Sequence, residues 1–203
     1  MRSTEDVLLE GIRSGQFGGE SKSHGDHAMG FAAFSASPRQ VFVGHVVDIG
    51  SGAGLPALIL ADAFEQTTWT LIERRQGRTE LLTRAVHRLH MHDRVTVVAA
   101  DAAVAGRGEY RGSADWVTAR SFGPPGDTAE CGSPFLRPGG SLLVSEPFGE
   151  DSEHRWPRAG LERVGLEFVE SWTTPSGKYV RLERTTEDIP DLPRAGARKT
   201  LLF

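Results

Sequence analysis

Residues 45–65 constrain this chain more than any other stretch. The apolar run His45-Val46-Val47-Asp48 leads into Ile49-Gly50-Ser51-Gly52-Ala53-Gly54-Leu55, and LPALILADAFE over 55–65 follows. A short apolar run, a glycine cluster and a helical pattern, in that order, mark a strand that turns sharply into a helix. Val41-Phe42-Val43 extends the strand expectation backwards, and Pro56 is tolerated in a helix's first turn. The alternation then recurs. Strands are expected at 69–72, 95–98, 115–118 and 141–144, and helices at 75–91, 127–136 and 156–164. The 75–91 helix places Leu81, Leu82, Ala85 and Leu89 on one face. Residues 105–114 are loop-like, and Arg137-Pro138-Gly139-Gly140 reads as a turn. Near the end, 166–172 and 178–183 resemble two strands joined by Thr174-Pro175-Ser176-Gly177, short enough to demand an antiparallel hairpin.

Repeated strand–helix–strand units imply an α/β fold with a mostly parallel, Rossmann-like sheet, here with a C-terminal antiparallel hairpin. Ligands of such sheets bind beyond the carboxyl ends of the strands, which singles out 48–55, Glu73, Asp101, Arg120 and Glu146. Residues 1–40 read as an N-terminal appendage and 41–203 as the ligand-binding domain. The appendage offers a short amphipathic helix (Val7, Leu8, Ile12). A glycine-rich, polar stretch follows to about His27, suiting a mobile loop, and 14–30 is a candidate lid.

The 203 residues are 38% hydrophobic and 25% charged, with a net charge of −4, which excludes wholesale disorder and suits one domain. Cys131 is alone, no apolar run approaches the ~20 residues of a membrane span, and the first residues carry acids where a secretory signal would be basic. A cytoplasmic protein with no membrane partner is expected. Charge is uneven: residues 74–94 hold six arginines against Glu80 and Asp93, so this stripe carries +4 and the remainder −8. Such a stripe is either a solvated helix face or a surface for phosphates.

The glycine pattern is Asp-x-Gly-x-Gly-x-Gly. The dinucleotide fingerprint needs a third glycine where Leu55 stands, so an NAD-dependent oxidoreductase is disfavoured. No Gly-Lys-Ser/Thr follows, which excludes a P-loop, and Ile49 and Ala53 flank Ser51 where a nucleophile elbow needs glycines. Asp48 suits a ligand with an ammonium group. Glu73, 23 residues after Gly50, is placed to accept from both ribose hydroxyls, and Asp101 lies where an adenine amino group would be met. These features together point to S-adenosylmethionine. His24, His27, His87, His90 and His92 cluster in pairs or triplets, as helix ends and surfaces often do, and no metal is expected. Trp156 and Trp172 are expected in the core rather than stacked on a base.

The segments DIGSGAGLPALILA, TLIERRQGRTELLTRAVHRL, ADWVTARSFGPP and LRPGGSLL resemble the RsmG (GidB) family of bacterial methyltransferases over roughly 45–145. The resemblance implies the class I methyltransferase fold. It also implies transfer of a methyl group from S-adenosylmethionine to guanine N7 in small-subunit ribosomal RNA, so that RNA or the small subunit is the partner. It puts Gly50, Ser51, Gly52 and Gly54 along the cofactor, Glu73 at its ribose and the Ala102 region at its adenine; Leu55, Arg74 and Asp101 are further cofactor-binding candidates beside them. Arg120 falls both at the cofactor and at the active site. The family's fifth strand commonly ends in Leu-Lys-Gly; here Ser145-Glu146-Pro147 reverses a charge. The family's Asn-Leu-Thr and His-x-x-Asp-Ser features are missing from the N-terminal part. Leu192-Pro193-Arg194-Ala195-Gly196 echoes its Tyr-Pro-Arg-x-x-Gly tail, one residue shorter.

Guanine N7 has a free lone pair and needs no base, so positioning and electrostatics would suffice, with Arg120 orienting a base or phosphate. A hydroxyl or thiol acceptor would need a base, for which Glu146 is the candidate. A methyltransferase of the same fold with a small-molecule acceptor, and a non-catalytic cofactor-binding protein, are the alternatives.

Overall fold

The computed structural model describes residues 21–34, 42–185 and 191–194, together with Thr4, Asp6 and Phe203. The expected N-terminal helix, the 15–19 glycine run and Ala195-Gly196 lie outside the described residues. Seven strands form one sheet: β1 (His45–Ile49), β2 (Thr68–Glu73), β3 (Val95–Ala99), β4 (Ala114–Ala119), β5 (Leu136–Glu146), β6 (Leu166–Thr174) and β7 (Gly177–Arg184). Their order is β3-β2-β1-β4-β5-β7-β6. The first five run parallel, and β7 is antiparallel to both β5 and β6. This is the expected class I methyltransferase architecture, with order reversing between β1 and β4, where a crevice opens at the strand ends.

Period-two alternation sends successive side chains to opposite faces. Val47, Ile49, Val117, Ala119, Leu142 and Val144 join one core with Phe135, Trp156 and Leu161. Val46, Trp69, Leu71 and Leu143 join the other with Leu58, Leu82, Val86, Phe31 and Phe42. The helices covering these faces are α1 (Ser21–Gly30), α2 (Ala57–Ala63), α3 (Gln76–Arg88), α4 (Ala102–Ala105), α5 (Pro125–Gly132), α6 (Ser152–Arg155) and α7 (Arg158–Glu162).

Several boundaries depart from expectation for identifiable reasons. Val43 is 55% exposed and Phe42 turns inward at positive φ, so the first strand begins only at His45. The Arg137–Gly140 stretch lies within β5 as an irregularity facing Ala114–Trp116. There a Cβ on Gly140 would come within 3.0 Å of three backbone oxygens, so only glycine allows the close approach. Of the expected 156–164 helix only Arg158–Glu162 forms, with Pro157 at its N-cap, and a separate short helix, Ser152–Arg155, precedes the expected range. The hairpin forms with Pro175-Ser176 as its turn.

The polar stretch expected as a mobile loop is, from residue 21 on, helix α1. Tyr179 donates its hydroxyl to His27 O at 2.7 Å, and Trp172 Nε1 donates to Gly30 O at 2.8 Å. Tertiary hydrogen bonds thus hold the last turn of a sequence with weak intrinsic helical preference. Trp156 is buried, and Trp172 stacks on Tyr179, so both tryptophans serve the core. No described helix is long and apolar enough to cross a membrane.

Candidate functional site

The glycine loop is held from behind. Gly50 N and Ser51 N both donate to Ile72 O, at 2.9 and 3.0 Å, while Ser51 Oγ donates to Asp48 O at 2.9 Å. Gly50, Gly52 and Gly54 all have positive φ, which only glycine adopts at little cost. A Cβ on Gly50 would also stand 2.8 Å from the Phe122 ring, and one on Gly54 would collide with Leu58. The loop is therefore tight and fixed.

Glu73 closes the end of β2 and is buried. Its Oε2 accepts from Gly52 N at 3.0 Å and its Oε1 from Arg75 N at 2.7 Å. Each carboxylate oxygen keeps a second lone-pair direction for a ligand hydroxyl. Asp101 caps α4, its Oδ1 accepting from Ala103 N at 2.9 Å.

A cleft of about 150 Å³ lies beside these groups, lined among others by Gly50, Glu73, Arg74, Arg78, Ala102 and Phe122. A second cleft, of about 360 Å³, includes His27, Arg120, Phe122, Glu146, Arg155 and Trp156 in its lining. Ser121 and Phe122 belong to both, so the clefts meet there.

Asp48 is almost fully buried. Thr118 Oγ1 donates to its Oδ1 at 2.6 Å, while Oδ2 has no partner among the described residues. Burial pushes its pKa up to about 7, against the Thr118 and Ser51 hydrogen bonds and the Arg120 charge. Arg120, just past β4, donates from Nη2 to His24 Nδ1 at 3.3 Å, and its buried Nη1 is unpartnered among the described residues. Burial also pushes His27 down to about 4, with Arg120 adding to the effect.

Glu146 ends β5 with its carboxylate engaged: Arg155 Nε donates to Oε2 at 2.9 Å, and Arg155 Nη1 reaches Glu150 Oε2 at 2.6 Å. The reversed charge is thus matched by a guanidinium from α6 that lines the same cleft.

The expected residues therefore separate into groups. Gly50, Glu73, Arg74 and Ala102 line the first cleft, and Arg120 and Glu146 the second. Asp48, Ser51, Gly52 and Gly54 build the loop and its backing, Asp101 caps a helix, and Leu55 lines neither cleft. Arg78, Phe122 and Arg155 were not singled out from sequence. Arg78 belongs to the noted arginine stripe, whereas Phe122 and Arg155 reach the site through contacts across the fold. His87 and His92 stack on each other at the surface, and among the described residues no three His, Cys, Asp or Glu side chains are grouped to hold a metal.

The family model described as GidB, rRNA small subunit methyltransferase G, matches residues 31–155. A relative named ribosomal RNA small subunit methyltransferase G, from Sorangium cellulosum, is 35% identical over 145 residues, covering 70% of this chain and 59% of the relative. Its counterpart from Salinispora arenicola is 38% identical over 126 residues, covering 59% of this chain and 51% of the relative. The chain thus spans a little over half the length of these curated relatives. Among solved structures, P. horikoshii TYW2 in complex with MeSAdo superposes with a TM-score of 0.53 at 17% identity, covering 79% of this chain and 61% of that one. At that identity the likeness shows the fold.

Proposed function

The chain belongs to the rRNA small subunit methyltransferase G (GidB) family, and from that premise we propose that it transfers a methyl group from S-adenosylmethionine to guanine N7 in small-subunit ribosomal RNA. The observation that carries the reading is Glu73, a buried carboxylate tied by hydrogen bonds to the glycine loop at the mouth of a cleft.

The residues fit the cofactor. Gly50 leaves no room for a side chain beside Phe122, Glu73 has lone pairs for ribose hydroxyls, and Ala102 with the Asp101-capped turn lies at the neighbouring strand end. S-adenosylmethionine, when bound, supplies a methyl group already activated on a sulfonium. The protein's task is then to orient and to exclude water. Phe122 and Pro125 give the second cleft apolar walls suited to a base, and Arg120 and Arg155 give it positive charge. Glu146 would have to break its ion pair with Arg155 to take a proton. Guanine N7 asks for no base, so the engaged carboxylate favours RNA over a hydroxyl or thiol acceptor.

The test is transfer of labelled methyl to small-subunit RNA and to intact small subunits over a range of salt and magnesium, with digestion to nucleosides. Labelled 7-methylguanosine is expected. No label in either substrate would overturn the proposal. Glu73→Ala should weaken calorimetric binding of S-adenosylmethionine by about 10- to 100-fold, the effect of losing hydrogen bonds to a charged group.

A further inference from the structure

Guanine N7 takes a methyl group without a base, which leaves Glu146 no part in proton transfer. Yet its side chain is only 2% exposed and still belongs to the lining of the second cleft. A carboxylate so enclosed is costly unless its lone pairs are met. Arg155 Nε donates to Oε2 at 2.9 Å, and no hydrogen bond reaches Oε1 among the described residues. Arg155 is itself held by Glu150 at 2.6 Å, so the pair is braced from outside the cleft.

A carboxylate only accepts. Oε1 keeps both lone pairs and Oε2 keeps one, which calls for two neighbouring N–H donors on one flat edge. Among the four RNA bases only guanine presents them, N1–H and N2–H2 on its Watson–Crick edge. Adenine would set its N1 lone pair against the carboxylate instead. The cleft, about 360 Å³, is of small-ligand size, and Phe122, Pro125 and Trp156 give it apolar walls for the faces of a purine. β4 lies between β1 and β5 in the sheet. Glu146, ending β5, thus stands one strand further from the glycine loop than Ser121 and Phe122, where the two clefts meet. A guanine whose Watson–Crick edge meets Glu146 has N7 at the other end of its ring system, towards that junction. We propose that Glu146 reads the acceptor base, its carboxylate accepting from guanine N1–H and N2–H2 while Arg155 braces it. The inference rests on the guanine N7 reading above and deepens it. The carboxylate that should repel phosphate is the group that selects the base.

Saturation-transfer NMR titration of the full chain tests this with four nucleotides that share one phosphate: GMP, IMP, 1-methyl-GMP and AMP. IMP lacks the N2 amino group, 1-methyl-GMP lacks the N1 proton, and AMP lacks both donors. GMP should bind about 10- to 100-fold more tightly than AMP and 1-methyl-GMP, the usual effect of hydrogen bonds to a charged group, with IMP between. Glu146→Leu should bring GMP down to AMP while leaving AMP affinity and cooperative melting unchanged. Glu146→Gln, whose carbonyl still accepts, should recover part of the preference. A GMP preference that survives Glu146→Leu overturns the inference. Should that variant not fold, wild type decides: GMP and 1-methyl-GMP bound alike, or neither bound, overturns it. A GMP preference that depends on Glu146, without label in ribosomal RNA, supports the guanine pocket and refutes only the ribosomal substrate. Labelled 7-methylguanosine in RNA without any GMP preference refutes only the role given to Glu146.

Discussion

The tail provides the clearest energetic prediction. Glu130 on α5 is fully buried, and Arg194 brings it three hydrogen bonds: backbone N to Oε1 at 2.7 Å, Nε to Oε1 at 2.8 Å and Nη2 to Oε2 at 2.8 Å. Arg107 and Arg111 grip the neighbouring carbonyls of Pro193 and Leu192. Arg194→Ala removes both side-chain bonds and strands a buried carboxylate, a change that costs about 3–5 kcal/mol where no other partner is left. Here the backbone N–H stays and the Arg194 side chain is 39% exposed, so water softens the loss and about 2–3 kcal/mol is expected. For a chain of this length that lowers Tm by about 5–10 °C.

The same pair sets a pH dependence. Burial alone would raise the Glu130 pKa, but the Arg194 hydrogen bonds and charge, with Arg107 behind them, hold it below the usual carboxylate value. A carboxylate with a depressed folded pKa contributes stability that is complete above its unfolded value, about 4.3, and is lost as pH falls through the folded one. In Arg194→Ala, burial is no longer opposed by the guanidinium, so the stranded carboxyl takes up a proton more readily and its penalty is relieved in acid. Scanning calorimetry of wild type and variant between pH 7 and pH 4 should show a gap that is full near neutrality and narrows in acid. A Tm change below about 1 °C at pH 7, or a gap that does not vary with pH, would refute the argument.

Two further outcomes follow from the glycine loop and its backing. Gly50→Ala places a Cβ 2.8 Å from the Phe122 ring at φ +70; it should destabilise the fold by about 1–3 kcal/mol, read by urea denaturation, and weaken cofactor binding. Asp48, whose pKa burial raises to about 7, should release a proton when an ammonium settles beside it. Calorimetric heats measured in buffers of different ionisation enthalpy would show that release in wild type and not in Asp48→Asn.

What the sequence disclosed and what it hid divide along a physical line. Strand ends are local events: an apolar run, then a glycine or an acid. Asp48, Gly50, Glu73 and Arg120 are therefore legible in the sequence as strand-end residues. Helix α1 was hidden because Ser21–Gly30 is polar and contains Gly25; its hydrogen bonds to Tyr179 and Trp172 come from about 150 and 140 residues away in sequence. Phe122 touches the glycine loop only because β1 and β4 are neighbours in the sheet. The Arg137–Gly140 stretch has turn composition, yet it continues as strand because Gly140 lets three backbone oxygens crowd one point.

The Glu146 reversal shows how local charge, rather than net charge, governs what such a protein can address. A negative side chain at the end of β5 should repel phosphate, and the whole chain carries −4. Exposed charges more than about 10 Å apart are largely screened at ordinary ionic strength, so only those around the clefts matter to a ligand there. Arg74, Arg75 and Arg78 line the first cleft with Glu73, and Arg120 and Arg155 line the second with Glu146. Five arginines face two carboxylates, one of the latter already paired with Arg155 and the other hydrogen-bonded to backbone N–H groups. The clefts are thus cationic on an acidic protein. The proposed polyanionic substrate would meet that surplus at the strand ends, with the α3 arginines Arg84 and Arg88 continuing it outward along an exposed face.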